Sequence, residues 1–113
     1  MEDPAEVVGI DDFKRLEVRV GTVIDVSRVP RTEKLYKVIV DLGEHGKRQT
    51  VTSLVGYYSG EELLHKRIAF LCNLKDVKFA GQLSQGMLLA ASTGDKLSLL
   101  TIDREIANGA RVS

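Results

Sequence analysis

The chain has 113 residues, 43% of them hydrophobic, and its 16 acidic side chains balance 16 basic ones. This length and composition predict one globular domain in which roughly two thirds of the unfolded surface is buried. The longest apolar runs, residues 68–72 and 87–91, are too short to span a bilayer, and no signal-peptide pattern opens the chain. We therefore expect a soluble, cytoplasmic protein with no membrane partner.

The first half of the chain predicts a three-stranded meander. Alternating apolar and polar residues indicate a first strand over residues 16–26, with a bend at Gly21. A loop over residues 27–33 leads to a second strand over 35–42. A glycine-containing turn then leads to a third strand, predicted over residues 48–55.

A short helix interrupts the strands. Ser59 and Glu62 form a capping box, in which each side chain bonds a backbone amide of the first helical turn. This predicts a helix over residues 60–65. The alternation then resumes and predicts a fourth strand over residues 67–73.

The last part of the chain predicts further strands. Residues 85–92 are almost all apolar, which predicts a fifth strand buried on both faces. A turn leads to a short segment over residues 97–102, and Asn108 with Gly109 marks a tight turn near the end.

The order of three strands, a short helix and two strands is typical of the OB-fold, a five-stranded Greek-key barrel that binds oligonucleotides. We therefore predict an all-β single domain over residues 1–113, with the barrel over about 13–92 and short strands after it. In this fold the first and fourth interstrand loops flank the binding face. Here these loops are residues 27–33, followed by Lys34, and residues 74–84.

The charges favour a local basic face. Residues 1–17 hold six acids and two bases, whereas residues 18–91 hold eleven bases and seven acids. A net charge of zero argues against indiscriminate nucleic-acid binding, but this surplus of four bases allows one positive surface. The alternative is that the lysines only protect strand edges from aggregation.

Catalysis and metal binding have little support. Cys72 is the only cysteine and lies in an apolar alternation, which predicts a buried, inert thiol. Two histidines are too few to predict a metal site, and no Ser–His–acid set or phosphate-binding glycine loop appears. We expect no metal, no cofactor and no enzyme activity.

Residues 73–91, with the sequence NLKDVKFAGQLSQGMLLAA, place a basic and amide-rich loop between two apolar runs. This grouping suits a polyanion with exposed base edges. Phe79 is the only aromatic residue in the loop, so recognition of folded RNA by shape fits better than stacking on a single strand.

Four segments carry a family resemblance: VRVGTV at 18–23, EKLY at 33–36, NLK at 73–75 and SQGMLLAA at 84–91. They resemble the tRNA-binding domain that occurs as a free-standing bacterial protein, in methionyl-tRNA synthetase and in endothelial monocyte-activating polypeptide. The resemblance runs from about Phe13 to the carboxyl end, and the last segment is the most specific.

The resemblance implies a set of RNA-contacting residues. The phosphate contacts would be Arg19 and Lys34, the groove residues Asn73 and Lys75, and the RNA-facing edge Ser84, Gln85 and Met87. Charge alone adds Arg48 and Lys78.

Each assignment has a structural alternative. Arg19 could form an ion pair with Glu17 or Asp25, and Asn73 could cap its own loop. Ser84 and Gln85 could bond the turn locally, whereas Met87 could belong to the barrel core.

The chain also departs from the family. The histidine that usually precedes Pro30 is replaced by Val29, and Asp76 places a negative charge where proline is usual. Thr32 and His65 are further departures, and together they would weaken or retune RNA affinity.

The sequence thus predicts a non-catalytic protein that recognises the shared shape and backbone of tRNA. The resemblance implies that it acts in trans with methionyl-tRNA synthetase, like a beta subunit. It also implies a homodimer, formed here by residues 1–12 and 97–113, although the apolar residues near the end could instead close the monomer's core. The alternative is a secretion-related dimeric chaperone that binds peptides in an apolar groove.

Overall fold

The computed structural model describes residues 6–113. Its strands, in chain order, are β1 (Val18–Arg28), β2 (Tyr36–Asp41), β3 (Lys47–Thr52), β4 (Arg67–Leu71), β5 (Val77–Phe79), β6 (Gln82–Ser84), β7 (Met87–Leu88), β8 (Ala90–Thr93), β9 (Lys96–Leu99) and β10 (Arg111–Val112). Two short helices, α1 (Ile10–Lys14) and α2 (Gly60–Leu63), and a 3-10 turn over Gly43–His45 accompany them.

The strands form a nearly closed barrel. The main sheet has the order β3-β2-β1-β4-β7, and β10 adds to β1. β1 has 11 residues and pairs antiparallel with β4 through residues 18–22 and with β2 through residues 22–28, so each half of the strand has its own neighbour. A register shift between Val23 and Asp25 bends the strand. The OB-like barrel with a helix between the third and fourth strands is confirmed.

The barrel encloses one main apolar core. Phe70, Ile68 and Val38 are fully buried there, and Leu63 of α2 closes one end. The alternation of β2, in which every second residue is buried, produces this arrangement directly. A smaller cluster of Val18, Ala69 and Leu71 forms a second core, against which Leu89 and Val112 pack.

The predicted capping box is confirmed. Ser59 N donates to Glu62 Oε1 at 2.9 Å, and Glu62 N donates to Ser59 Oγ at 3.1 Å. The helix that follows is shorter than predicted, because Leu64 is already extended. His65 then adopts a positive φ of 72°, and its N–H donates to Val23 O of β1. The chain therefore leaves α2 tied to the barrel.

The amino-terminal prediction needs correction. We predicted that the first strand begins at residue 16, but β1 begins at Val18 and a one-turn helix, α1, precedes it. Gly9 N bonds Asp12 Oδ2, so a carboxylate completes the first turn. Residues 1–5 of the predicted arm lie outside the described residues.

The fifth strand was predicted incorrectly as continuous and buried on both faces. It is divided into β7 and β8, and only Leu88 of their residues is buried. The four residues of β8 are exposed, because they pair with β9 in a hairpin that is separate from the main sheet. Within residues 87–91, Leu88 therefore belongs to the main core and Leu89 packs against the smaller one, whereas Met87 and the β8 residues lie at the surface.

The predicted turn at Asn108 and Gly109 connects to β10, which pairs with β1. Gly109 has a φ of 92°, and a Cβ there would lie 2.6 Å from Leu42 O. Within residues 6–113, no helix has the length and apolarity needed to cross a membrane.

Gly86 is the glycine whose replacement we expect to be most harmful. It has a φ of +114°, and a Cβ would lie 2.5 Å from Leu71 O and 2.6 Å from the Phe70 ring. We expect Gly86→Ala to lower the free energy of unfolding by about 3 kcal/mol, through backbone strain and overpacking. Urea denaturation would measure this decrease.

The matched control is Gly81→Ala. Gly81 has a φ of +80°, but a Cβ there meets nothing within 4 Å. We expect a decrease of about 1 kcal/mol from strain alone. Equal decreases in the two variants would contradict the close packing of Gly86.

Candidate nucleic-acid interface

A groove of about 400 Å³ opens beside the barrel. The end of β3 forms one wall with Leu54, the β5–β6 hairpin forms another with Val77 and Phe79, and β7 contributes Met87. This is the region between β3 and the loop that the sequence predicts to flank the binding face. The loop is more ordered than predicted, because β5 and β6 pair over three residues each.

Three of the predicted RNA contacts, Lys75, Ser84 and Met87, line this groove. Lys75 is exposed, and it is the one charged side chain among the groove-lining residues of the described chain. Met87 is 46% exposed and therefore does not belong to the barrel core, the alternative considered above.

Lys34 lies next to the groove. Val55 N donates to Lys34 O at 3.2 Å, which holds the main chain of Lys34 beside the residue that follows Leu54. The lysine side chain is exposed. The two loops that flank the predicted binding face thus each bring a cation close to one groove.

Lys78 occupies the opposite face of the hairpin. Val77 and Phe79 both line the groove, and successive side chains of a strand point to opposite sides. Lys78 is exposed and pairs with Leu83 in the hairpin. Its ammonium group can therefore contact a ligand that wraps around the hairpin, but it does not line the groove.

Ser84 is part of a buried seam that closes the barrel against β3. It is 4% exposed, and its hydroxyl accepts a bond from Val51 N at 3.1 Å. Thr50, 1% exposed, lies 3.2 Å from the same hydroxyl and bonds Gly86 O at 2.8 Å. Because the Thr50 proton is used on Gly86 O, Ser84 must donate to Thr50. Both hydroxyls of this pair are satisfied.

Gln85 continues the seam. Its N–H donates to Gln49 O at 2.8 Å, and its Oε1 accepts from Gln49 N at 3.2 Å. Gln49 Nε2 also donates to Leu83 O at 2.9 Å, which fixes β6 to β3. The side chains of Ser84 and Gln85 thus bond across the barrel, and neither bonds its own turn as the alternative proposed.

Asn73 connects α1 to the end of β4. Its Nδ2 donates to Arg15 O at 2.7 Å, and its Oδ1 accepts from Glu17 N at 2.8 Å. The amide therefore caps a segment far away in sequence and does not cap its own loop. These two bonds fix the chain just after the end of β4, and Asn73 thereby helps to position Lys75 in the groove.

Arg19 and Arg48 close the end of the barrel where β1 begins. Arg19 donates to Glu17 Oε2 at 3.0 Å and to Gly109 O at 2.8 Å, and its side chain is 15% exposed. Arg48 donates to Cys72 O at 2.9 Å. The ion-pair alternative for Arg19 is thus present, with Glu17 as its partner.

The structure does not bring Arg19 together with Lys34. Arg19 lies near the start of β1 and Lys34 lies beyond its end, and a strand of this length spans roughly 35 Å. Lys75 lines the groove and Lys34 lies next to it, whereas Arg19 is held at the other end of the barrel.

Cys72 is buried, as predicted. Burial raises the pKa of its thiol, because the interior disfavours the thiolate. In the described part of the chain, no three His, Cys, Asp or Glu residues are grouped closely enough to hold a metal ion.

The sequence did not predict the role of Thr50 or Gln49 in the seam. Strand alternation indicates which residues share a face, but it does not identify which residues of another strand lie opposite them. The apolar side chains that the groove exposes, Leu74, Val77 and Phe79, were also not predicted as a surface, since they are separated by polar residues.

The Arg19 guanidinium, through its hydrogen bond, holds the pKa of Glu17 below its ordinary value of 4.5. The carboxylate therefore contributes stability above the unfolded-state pKa, and this contribution is lost as the pH falls through the folded-state pKa. We expect Glu17→Gln to have a lower free energy of unfolding than the parent at neutral pH. This difference between variant and parent should decrease as the pH is lowered. Urea midpoints measured across the acidic range would test this.

Arg19→Ala provides the control background. Without the guanidinium, the loss of unfolding free energy caused by Glu17→Gln should depend little on pH. If that loss is also independent of pH when Arg19 is present, the ion pair does not have the role assigned to it.

Comparison with known proteins identifies relatives across nearly the whole chain. A family model described as "Putative tRNA binding domain" matches residues 18–111. The methionine–tRNA ligase of Methanococcus maripaludis is 46% identical over 107 residues, which cover 95% of this chain and 16% of that ligase. The ligase of Thermotoga maritima is 47% identical over 106 residues, covering 94% and 17%. The chain thus spans only a small part of these relatives.

Solved structures share the fold. A MetRS related protein from Pyrococcus horikoshii superposes with a TM-score of 0.90 at 40% identity, covering 96% of this chain and 100% of that one. The chaperone CsaA of Bacillus anthracis superposes with a TM-score of 0.86 at 26% identity, with the same coverage.

Proposed function

Because this chain belongs to the tRNA-binding domain family, we propose that it is a non-catalytic protein that binds tRNA at its groove and along the adjacent hairpin. The observation that carries this proposal is the exposed Lys75 in the groove, with a second exposed lysine, Lys34, on the neighbouring loop next to it. Among the described residues that line the groove, none brings a carboxylate that would oppose a phosphate.

The binding energy would come chiefly from phosphate neutralisation. Each phosphate that a lysine neutralises releases counterions, so affinity falls steeply with salt. A handful of such contacts gives little sequence specificity. Recognition of the folded shape common to tRNAs therefore suits this surface.

The predicted RNA contacts divide into two groups. We propose that Lys34, Lys75, Lys78 and Met87 contact RNA, because their side chains are exposed at the groove or hairpin. Gln85 lies between two groove-lining residues and would contribute its amide. We propose that the remaining four position this surface through their bonds within the barrel: Arg19, Arg48, Asn73 and Ser84.

We further propose that the protein acts in the cytoplasm, in trans with methionyl-tRNA synthetase. The two relatives compared above are methionine–tRNA ligases, and the matched segment is 16% or 17% of their length. A small tRNA-binding domain of this kind would raise the local concentration of tRNA at a catalytic partner.

A homodimer is the proposed assembly. Phe13 and Leu16 are 39% and 43% exposed and border a cleft with Val112. Arg111 ties the two chain segments together by donating to Lys14 O and Leu16 O. A second copy covering this apolar surface would present two grooves to one tRNA and raise avidity.

A chaperone that captures peptides is the second candidate. The groove is largely apolar, and the CsaA chaperone shares the fold. Salt distinguishes the two functions, because apolar capture changes little with ionic strength whereas phosphate binding weakens.

We expect Lys75→Ala and Lys34→Ala each to weaken tRNA binding. Each should lower the slope of log affinity against log salt by about 0.9 for every phosphate that the variant no longer neutralises. A salt-titrated binding curve for bulk tRNA measures both quantities. Lys47→Ala, an exposed lysine at the start of β3, is the matched control and should leave the slope unchanged.

Two outcomes would count against tRNA binding by this surface. One is a parent affinity that is insensitive to salt. The other is equal slopes for the parent and both groove variants.

We expect the parent to sediment as a dimer at micromolar concentration and Phe13→Asp to sediment as a monomer, because a carboxylate would be buried at the interface. The monomer should also bind tRNA more weakly, because it has no avidity. Tyr57→Asp, at an exposed aromatic residue outside this cleft, is the control. A monomeric parent would contradict the dimer.

A further inference from the structure

The groove exposes more apolar surface than phosphate binding requires. Leu74, Val77, Phe79 and Met87 are each between 41% and 48% exposed, and all four line the groove. A contiguous set of exposed apolar side chains of this kind marks a binding site. Lysine contacts to a nucleic-acid backbone would not use these apolar side chains, so the proposed phosphate binding does not account for them.

Phe79 is held in a defined position. It ends β5, and the next two residues, Ala80 and Gly81, have φ values of 50° and 80°, which make a tight hairpin turn. The returning strand is fixed to β3 by the Gln49–Leu83 hydrogen bond of 2.9 Å. The aromatic ring is therefore presented by a hairpin that is anchored to the barrel.

The polar groups of the groove suit a nucleotide. Lys75 can contact a phosphate, and the hydroxyls of Thr52 and Ser53, which also line the groove, can donate to or accept from a base edge. The volume of about 400 Å³ can hold one nucleotide. An apolar peptide would use the apolar wall but would have no need of Lys75.

We propose that the groove binds an unpaired nucleotide of RNA, with its base against Phe79 and Met87 and its phosphate at Lys75. This rests on the proposed tRNA binding and adds to it a subsite for a base that lies outside the stacked helices. Shape and phosphate recognition would position the tRNA, and the subsite would engage a single-stranded end or an unstacked loop base.

The test separates aromatic stacking from apolar area. Phe79→Leu keeps an apolar side chain, whereas Phe79→Tyr keeps the ring. Because base–aromatic stacking typically contributes a substantial part of single-strand affinity, we expect the leucine variant to bind tRNA about tenfold more weakly and the tyrosine variant to match the parent. The salt slope should be the same in all three proteins, since each keeps the same lysines.

The source of the base is tested with tRNA trimmed of its single-stranded 3′ end. If trimming abolishes the difference between Phe79→Leu and parent, the 3′ end occupies the groove. If the difference persists, an unstacked loop base does. Either result supports the subsite. A 2-aminopurine placed at the identified position should lose fluorescence on binding to the parent and less on binding to Phe79→Leu.

Three results would overturn this inference while leaving tRNA binding intact. The first is equal tRNA affinity for the parent and Phe79→Leu. The second is a drop in affinity in Phe79→Tyr as great as in Phe79→Leu. The third is weaker capture of a permanently unfolded protein, reduced and carboxymethylated lactalbumin, by Phe79→Leu without any change for tRNA. Failure of the parent to bind tRNA at all would instead overturn the proposed function.

Discussion

The seam between β3 and residues 83–86, at the end of β6 and just after it, is the constraint on which the binding surface depends. Thr50 and Ser84 are almost fully buried, and their hydroxyls bond each other and the backbone, at Gly86 O for Thr50 and at Val51 N for Ser84. A buried polar group without a partner costs about 1–3 kcal/mol, so the two segments can approach in only one register. This register sets the position of the β5–β6 hairpin over the groove, and hence of Lys75 and Phe79.

The basic side chains of the barrel have two roles, internal hydrogen bonding and exposure near the groove, and the sequence alone does not show which residue has which role. Arg19 and Arg48 bond carbonyl oxygens and, in the case of Arg19, a carboxylate at one end of the barrel. Lys75 is exposed in the groove and Lys34 is exposed next to it. A guanidinium has several donors in a fixed plane and suits such multiple internal bonds, whereas a lysine ammonium on a flexible stem suits a mobile phosphate surface. Although the net charge is zero, the arginines and the lysines therefore have different roles in different parts of the barrel.

The barrel could be predicted from sequence because its signals are local. Alternation in β2 and the Ser59–Glu62 capping box each depend on residues within one turn or strand. The roles of Asn73 and Ser84 could not be predicted in this way, because their partners, Arg15 and Thr50, lie on other elements. The division of the fifth strand was missed for a similar reason. An apolar run does not reveal whether it fills a core or covers one.

The pairing of β1 with β10 has a consequence for how the protein folds. β1 already joins β2 and β4, yet its first residues also pair with the last strand, and Arg111 reaches Lys14 across 97 positions of sequence. Pairing between such distant positions slows the search for the native state, because the loop entropy is lost before the strands meet. During synthesis, the start of β1 therefore lacks its β10 partner until nearly the whole domain has left the ribosome.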